Sequence, residues 1–212
     1  MSWRDAVDQI ARETRLTTYL MARSDKDAVC LHCVQGSTVL RAIPVDVGQR
    51  LPLGVVGAGS LAILATLDDE EVRRIVAAQE SRFELYPDGR AKAQGILKRV
   101  DLTRQQGFSF GSGTVARGVI GVGVAILPKQ GRLQLALSVS AVASTIEPSE
   151  AKKLASVITT AIRNHQDSHR NSQIGETPLA PGQDTGMMSR WIDQPEKPGA
   201  ARRSEARGAW TR

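Results

Sequence analysis

"GVVGAGSLAIL", residues 54–64, decides how this chain is read, because two incompatible folds can begin from it. Gly57, Gly59 and Ala62 stand at the G-x-G-x-x-A spacing, in which glycines allow a tight turn and let a pyrophosphate approach backbone N–H groups at a helix start. On that reading the chain is a nicotinamide- or flavin-dependent oxidoreductase. On the other, the small residues open a helix that packs close to a sheet, or Gly57, Ala58 and Gly59 offer N–H groups to a small carboxylate or phosphate without any nucleotide.

The flanking sequence separates the two. A dinucleotide fingerprint follows a buried strand and leads, across a helix, to a parallel strand that ends in an acid for the ribose. Here "VGQRLPLGVV" (47–56) precedes the turn, and Pro52 and Gly54 interrupt any buried strand. After the turn comes helix, then helix again in "DDEEVRRIVAAQ" (68–79), with Asp68 as N-cap and Glu70 and Glu71 at the positive end of the dipole. "FELYPDG" (83–89) follows, with no β-branched run ending in an acid. The oxidoreductase is therefore kept only as an alternative.

Further out, "DAVDQIARETR" (5–15) is helical, with Ala6, Val7, Ile10 and Ala11 on one face. Three strand-like runs follow, "LTTYLMARS" (16–24), "AVCLHCVQG" (28–36) and "STVLRAIPVDV" (37–47), read as an antiparallel meander whose first turn is "SDKD". Beyond the centre, "AKAQGILKRVDLTRQQG" (91–107) recovers helical spacing and stops at Gly107. Strands "GVIGVGVAIL" (118–127) and "RLQLALSVSAV" (132–142) are joined by "PKQG", and a last helix in "EPSEAKKLASVITTAIRNH" (147–165) begins near Pro148 or Ser149. The expectation is an α+β fold, an antiparallel sheet with flanking helices that cover one face. One domain spans 1–165. Residues 166–212 carry many breakers and few periodic apolar positions, the composition of a flexible or disordered tail, in which "GMMSRWI" (186–192) reads as a collapsed patch.

The net charge of +6 and pI near 9.7 do not make a nucleic-acid surface, because the basic residues are spread out and the densest stretch, "AARRSEARGAWTR" (200–212), is interrupted by an acid. No apolar run reaches membrane-spanning length and the first residues are charged, so a cytoplasmic protein is expected. Cys30 and Cys33 form a C-x-x-C, yet in a strand of period two the thiols point to opposite faces, and a zinc site lacks a second ligand pair. They are read as structural, with no metal and no cofactor. Residues 107–126 are glycine-rich but lack the Gly-Lys-Ser/Thr ending of a phosphate loop. Gly121 and Gly123 instead alternate in a strand and leave one face bare for a ligand or a helix backbone. Ser138 and Ser140 share one face of the next strand and either line a small polar pocket or bond to their own backbone or water. Neither His32 nor His165 is placed to activate them, so no catalytic residues are assigned and the chain is not read as an enzyme.

The order of these pieces resembles the C-terminal effector-binding domain of IclR-type bacterial transcription regulators, over roughly Val7 to His165. Residues 8–41 are similar to that family's entry helix and first hairpin, and 47–72 to its central signature of an arginine, a Pro-Leu pair and a small-residue turn into a helix. Residues 104–126 match its second signature, with Arg104, Gly107, Phe108 and Gly118 in register, and "LQLALSVSAVAS" (133–144) with the last helix closes the pattern. The resemblance implies a GAF-like fold, a small organic or aromatic acid as effector, and a dimer or tetramer. It places the effector against Gly57, Ala58, Ser138 and Ser140. The family's histidine after Pro-Leu is Gly54 here, its turn lysine is Ser60, its glutamate before Gly118 is Thr114, and Gly111 and Gly121 replace an acid and a pocket-lining residue. A roomier, less polar pocket is the expectation, and an oligomerisation module that has lost its ligand is the further alternative. Nothing in the chain reads as a winged helix-turn-helix, so DNA is expected to be reached only through a separate or missing DNA-binding domain.

Overall fold

The computed structural model describes residues 2–85, 93–127 and 133–174. Helix α1 (Trp3–Thr14) opens with a capping box in which Ser2 and Asp5 bond reciprocally to each other's backbone. Strands β1 (Thr17–Ser24) and β2 (Asp27–Val34) form the expected hairpin, with Asp25 at φ 55° in its turn. Then come β3 (Arg50–Pro52), α2 (Ala58–Leu64), α3 (Asp69–Ala77) and α4 (Ala93–Gln106). Strands β4 (Ser109–Ser112), β5 (Val119–Ile126) and β6 (Leu135–Val142) lead to α5 (Ala151–Ile174). The six strands lie in the order β3-β2-β1-β6-β5-β4, and every pairing is antiparallel. With no parallel pair among the described residues, "GVVGAGSLAIL" has no βαβ unit around it.

The sheet is covered on both faces, not one. Alternation along the strands sends Leu20, Ile120, Val122, Val124, Leu137 and Val139 to a core shared with α1 and α5. The opposite faces of the same strands carry Tyr19, Met21, Cys30 and Ala136 to a second core built on α2, α3 and α4. A strand of mostly apolar and small residues such as "VIGVGVAI" has no polar face to leave in water, which is why both sides are packed.

Three local expectations change. The run 37–47 is no strand: Gly36 N–H is taken by Thr17 Oγ1 and Ser37 N–H by the Arg15 carbonyl, which turns the chain past the end of β1, and Pro44 has no N–H for a ladder. The strand beside β2 is Arg50–Pro52, and Val39, 99% exposed, stands in solvent. Cys30 and Cys33 share a face rather than opposing one another. A bulge at Leu31 shifts the register, so that Cys30 pairs with Met21 and Cys33 with Tyr19, both on the α2 side of β1. Residues 109–112, read only as part of a glycine-rich stretch, form the edge strand β4. Helix α5 also continues past His165 to Ile174, while the rest of the expected tail, with "GMMSRWI", and the expected turns at 86–89 and 128–131 lie outside the described residues.

The caps agree with the sequence. Asp68 accepts from Glu71 N–H at 2.8 Å, and Gly107, φ 79°, ends α4 with its N–H on the Thr103 carbonyl. Inside α4, Gly95 has nothing within 4 Å of where a Cβ would sit. Gly95→Ala is expected to stabilise the protein by about 0.5–1 kcal/mol through the lost backbone entropy of glycine. Urea unfolding measures it, and a destabilised variant would mean that the turn around Gly95 is not helical in solution.

Candidate functional site

The bare glycine face of β5 is where the two opening readings meet. A Cβ on Gly123 would lie 2.8 Å from the carbonyl carbon and oxygen of Ala58, so α2 crosses the sheet with its backbone directly on this strand. Ser109 Oγ, buried beside it, donates to Ala58 O at 2.6 Å and fastens the helix start to β4. Every residue of α2 is buried, and its one polar side chain, Ser60, is satisfied by backbone groups of its own turn. Gly123 therefore serves helix packing, and it does not border the cavity described next.

That cavity, about 40 Å³, lies between the N-terminal turn of α2 and the strands β1, β5 and β6. Of the residues singled out from the sequence, Gly57, Ala58, Gly59, Gly121, Ser138 and Ser140 all line it. Gly57, φ 80°, makes the turn into α2 and gives its N–H to Thr114 Oγ1 at 3.3 Å. Ser60 is spent on the turn itself, donating to the Val56 carbonyl and accepting from Gly54 N–H at 3.3 Å.

The cavity is not roomy, and the reason lies in strand β1. Tyr19 and Met21 project from it into the space beneath α2; a Cβ on Gly59 would come within 2.7 Å of Met21 Cγ and 3.0 Å of Ser138 Oγ. Sequence reasoning missed both side chains, because only the pairing of β1 with β6, Tyr19 against Ser138 and Thr17 against Ser140, brings them to the serines. Their alternation within "TTYLMARS" was the available signal. The two serines differ. Ser140 Oγ donates to the Ala42 carbonyl at 2.8 Å and lies 3.3 Å from the Tyr19 hydroxyl. It thereby ties the loop 37–49 across the site, with Pro44 and Val45 at the rim. The side chain of Ser138, a residue only 6% exposed, makes no hydrogen bond among the described residues and faces the cavity.

Burial pushes the Tyr19 phenol well above its usual range, and pushes the Cys30 thiol up to about 11 and the Cys33 thiol up as well. The Asp46 carboxylate adds to all three shifts. Both thiols are free and packed against the α2-side core, and the Cys30 thiol donates to the His32 carbonyl at 3.5 Å. Both shifts favour the protonated thiol, which is the less reactive form.

A family model for the C-terminal domain of the bacterial transcriptional regulator IclR matches residues 2–165. The chain belongs to the IclR family. It is 26% identical over 144 residues to the HTH-type transcriptional regulator XynR of Escherichia coli (strain K12), covering 67% of this chain and 55% of that protein. It is 26% identical over 160 residues to the HTH-type transcriptional regulator KdgR of Dickeya chrysanthemi, covering 75% and 51%. The chain thus spans about half the length of these curated relatives. In fold it is similar to the crystal structure of the Thermotoga maritima IclR, with a TM-score of 0.69, 18% identity, and coverage of 78% of this chain and 66% of that one. These IclR relatives are transcriptional regulators and not enzymes, which removes the oxidoreductase alternative. No helix among the described residues is long and apolar enough to cross a membrane.

Proposed function

We propose that this IclR-family domain senses a small molecule in the cavity beneath α2 and passes the binding event to DNA through a helix-turn-helix segment joined to it or partnered with it. The observation that carries this is the side chain of Ser138, on a largely buried residue, facing a partly open cavity at the junction of a helix start and three strands. The loop 37–49 is the element that reads the site, because the Ser140–Ala42 bond holds it shut and a ligand that takes over Ser140 loosens it. A coupling of about 1–3 kcal/mol between cavity and loop changes the affinity of whatever contacts the loop by roughly five- to 150-fold. Val39, Leu40, Ile43 and Val47 stand exposed on that loop and offer apolar surface for assembly into a dimer or tetramer. A cytoplasmic location accompanies a role at DNA.

The small volume favours one second reading, an oligomerisation module that no longer binds an effector. A thermal-shift screen of the full chain against short organic acids, aromatic acids and their neutral analogues separates the two. A ligand at a hundred times its dissociation constant adds about 2.7 kcal/mol, or roughly 5–11 °C in Tm for a domain of this size. A melting temperature unmoved by the whole panel supports the ligand-free module.

A further inference from the structure

A second hollow, about 500 Å³, opens at the far end of α2 from the cavity above and shares no lining residue with it. It exists because the sheet is ragged along its β4 edge. Helix α4 runs on to Gln106, Gly107 turns the chain, and β4 starts only at Ser109, opposite Gly123. Beyond Gly123, β5 continues to Ile126 with β6 on one side and, among the described residues, no strand on the other. The ends of α2 and α4 and the middle of α5 wall the gap.

Its lining divides by chemistry. Ala62, Val124 and Ile162 form a buried apolar floor, with Phe108 half-buried beside it and Leu127, 71% exposed, at the margin. Arg104 and Arg163 are the cations of the lining, and no aspartate or glutamate belongs to it. The two guanidiniums differ. Arg104 is structural: it donates to the Ala65 carbonyl at 3.0 Å, to the Leu67 carbonyl at 2.6 Å and to Asp69 at 2.6 Å, so it ties down the chain leaving α2 and has its own counter-ion. Arg163 is exposed on α5 and makes no hydrogen bond or ion pair among the described residues. Gln166, three residues on, puts an amide on the same face of α5. The threonine hydroxyls of the lining, on Thr66, Thr103 and Thr159, each donate to a carbonyl of their own turn, which leaves Arg163 as the directed donor.

We propose that this groove binds a small organic anion with an apolar body, an aryl or acyl carboxylate, sulfonate or phosphate, whose body lies on Phe108 and Ile162 and whose charged end meets Arg163. The volume is that of an ordinary small-molecule site. The uncovered apolar surface gives the body area to remove from water, and the guanidinium beside it gives the anion a forked pair of N–H donors. A neutral molecule leaves that guanidinium unused, and a cation meets two like charges.

The probes are anilinonaphthalene sulfonate and its uncharged counterpart phenylnaphthylamine, each titrated by fluorescence into the full chain and two variants. The sulfonate is expected to saturate a site on the unmodified protein. Arg163→Gln is expected to weaken the sulfonate about two- to fivefold and to leave the uncharged dye in place, as for an exposed ion pair. Leu127→Glu removes apolar wall and adds a like charge, and is expected to weaken the sulfonate about five- to twentyfold. Both side chains are exposed, so the melting temperatures are expected to stay where they are, and far-UV circular dichroism checks this. A sulfonate that does not bind, or whose affinity is the same in both variants, overturns the site; in the second case the dye sits elsewhere, as on the exposed loop 37–49. Equal losses of the two dyes in Arg163→Gln overturn the recognition of charge. Each of these results leaves the sensing role of the cavity beneath α2 untouched.

Discussion

Ile158→Ala is expected to destabilise the protein by about 2–5 kcal/mol, the cost of a large-to-small change in a packed core. Ile158 lies on α5 with 0% exposure, in the cluster that joins α5 and α1 to the Leu20, Val124 and Leu137 face of the sheet. The deletion opens a cavity between a helix and a sheet that are each held by many other contacts, so the space cannot collapse at little cost. At about 2–4 °C per kcal/mol for a domain of this length, Tm falls by roughly 4–20 °C. Leu102→Ala is the comparison: Leu102 projects into solvent from α4, and its removal stays within about 0.5 kcal/mol. Equal stabilities of the two variants would mean that α5 does not cover the sheet, and the two-faced architecture would fall.

Gly123→Val has the second-largest expected effect and tests how closely α2 sits. The new Cβ meets backbone, the Ala58 carbonyl group at 2.8 Å, together with Ser109 Oγ at 2.8 Å. A flexible side-chain tip could swing aside, but a helix start bonded to β4 cannot. Either α2 lifts, breaking the Ser109–Ala58 bond, or β5 bends away from β4 and β6. Overpacking of this kind costs about 1–3 kcal/mol, to which the lost hydrogen bond adds about 1 kcal/mol. Gly121→Ala places its Cβ 3.2 Å from the Ala58 side chain, a contact that a small shift relieves, and is expected to be much milder. Chemical denaturation of both variants gives the comparison. A Gly123→Val protein as stable as Gly121→Ala would show that the helix start is not seated on β5.

The candidate site was half visible in the sequence, and the division follows distance along the chain. Gly57, Ala58 and Gly59 announce themselves because a turn into a helix is a local event, written in a few adjacent residues. Gly121 with Gly123, and Ser138 with Ser140, could be put on common faces because a strand has period two. What no local rule supplies is the neighbour. Tyr19 meets Ser140 from 121 positions away, and that meeting both fills the pocket and commits one of the two hydroxyls. The thiols show the converse failure. The period of two was applied correctly to "DAVCLHCV", and the bulge at Leu31, which depends on the partner strand, reversed the phase.

What the sequence by itself determined is therefore the list of elements and most of their ends. The Asp68 cap, the Gly107 stop and the 24–27 hairpin turn were legible there, and the broken lead-in at Pro52 and Gly54 reduced the dinucleotide reading to an alternative. Such signals hold because capping and turn energies are settled within a few residues. Only the tertiary structure decided that 37–47 would leave the sheet and bridge the site, that helices would cover both faces, and which of the two serine side chains would be tied to the loop. Each of these depends on which distant surface is available to bury an apolar face or satisfy a polar atom, a choice made by the whole chain at once.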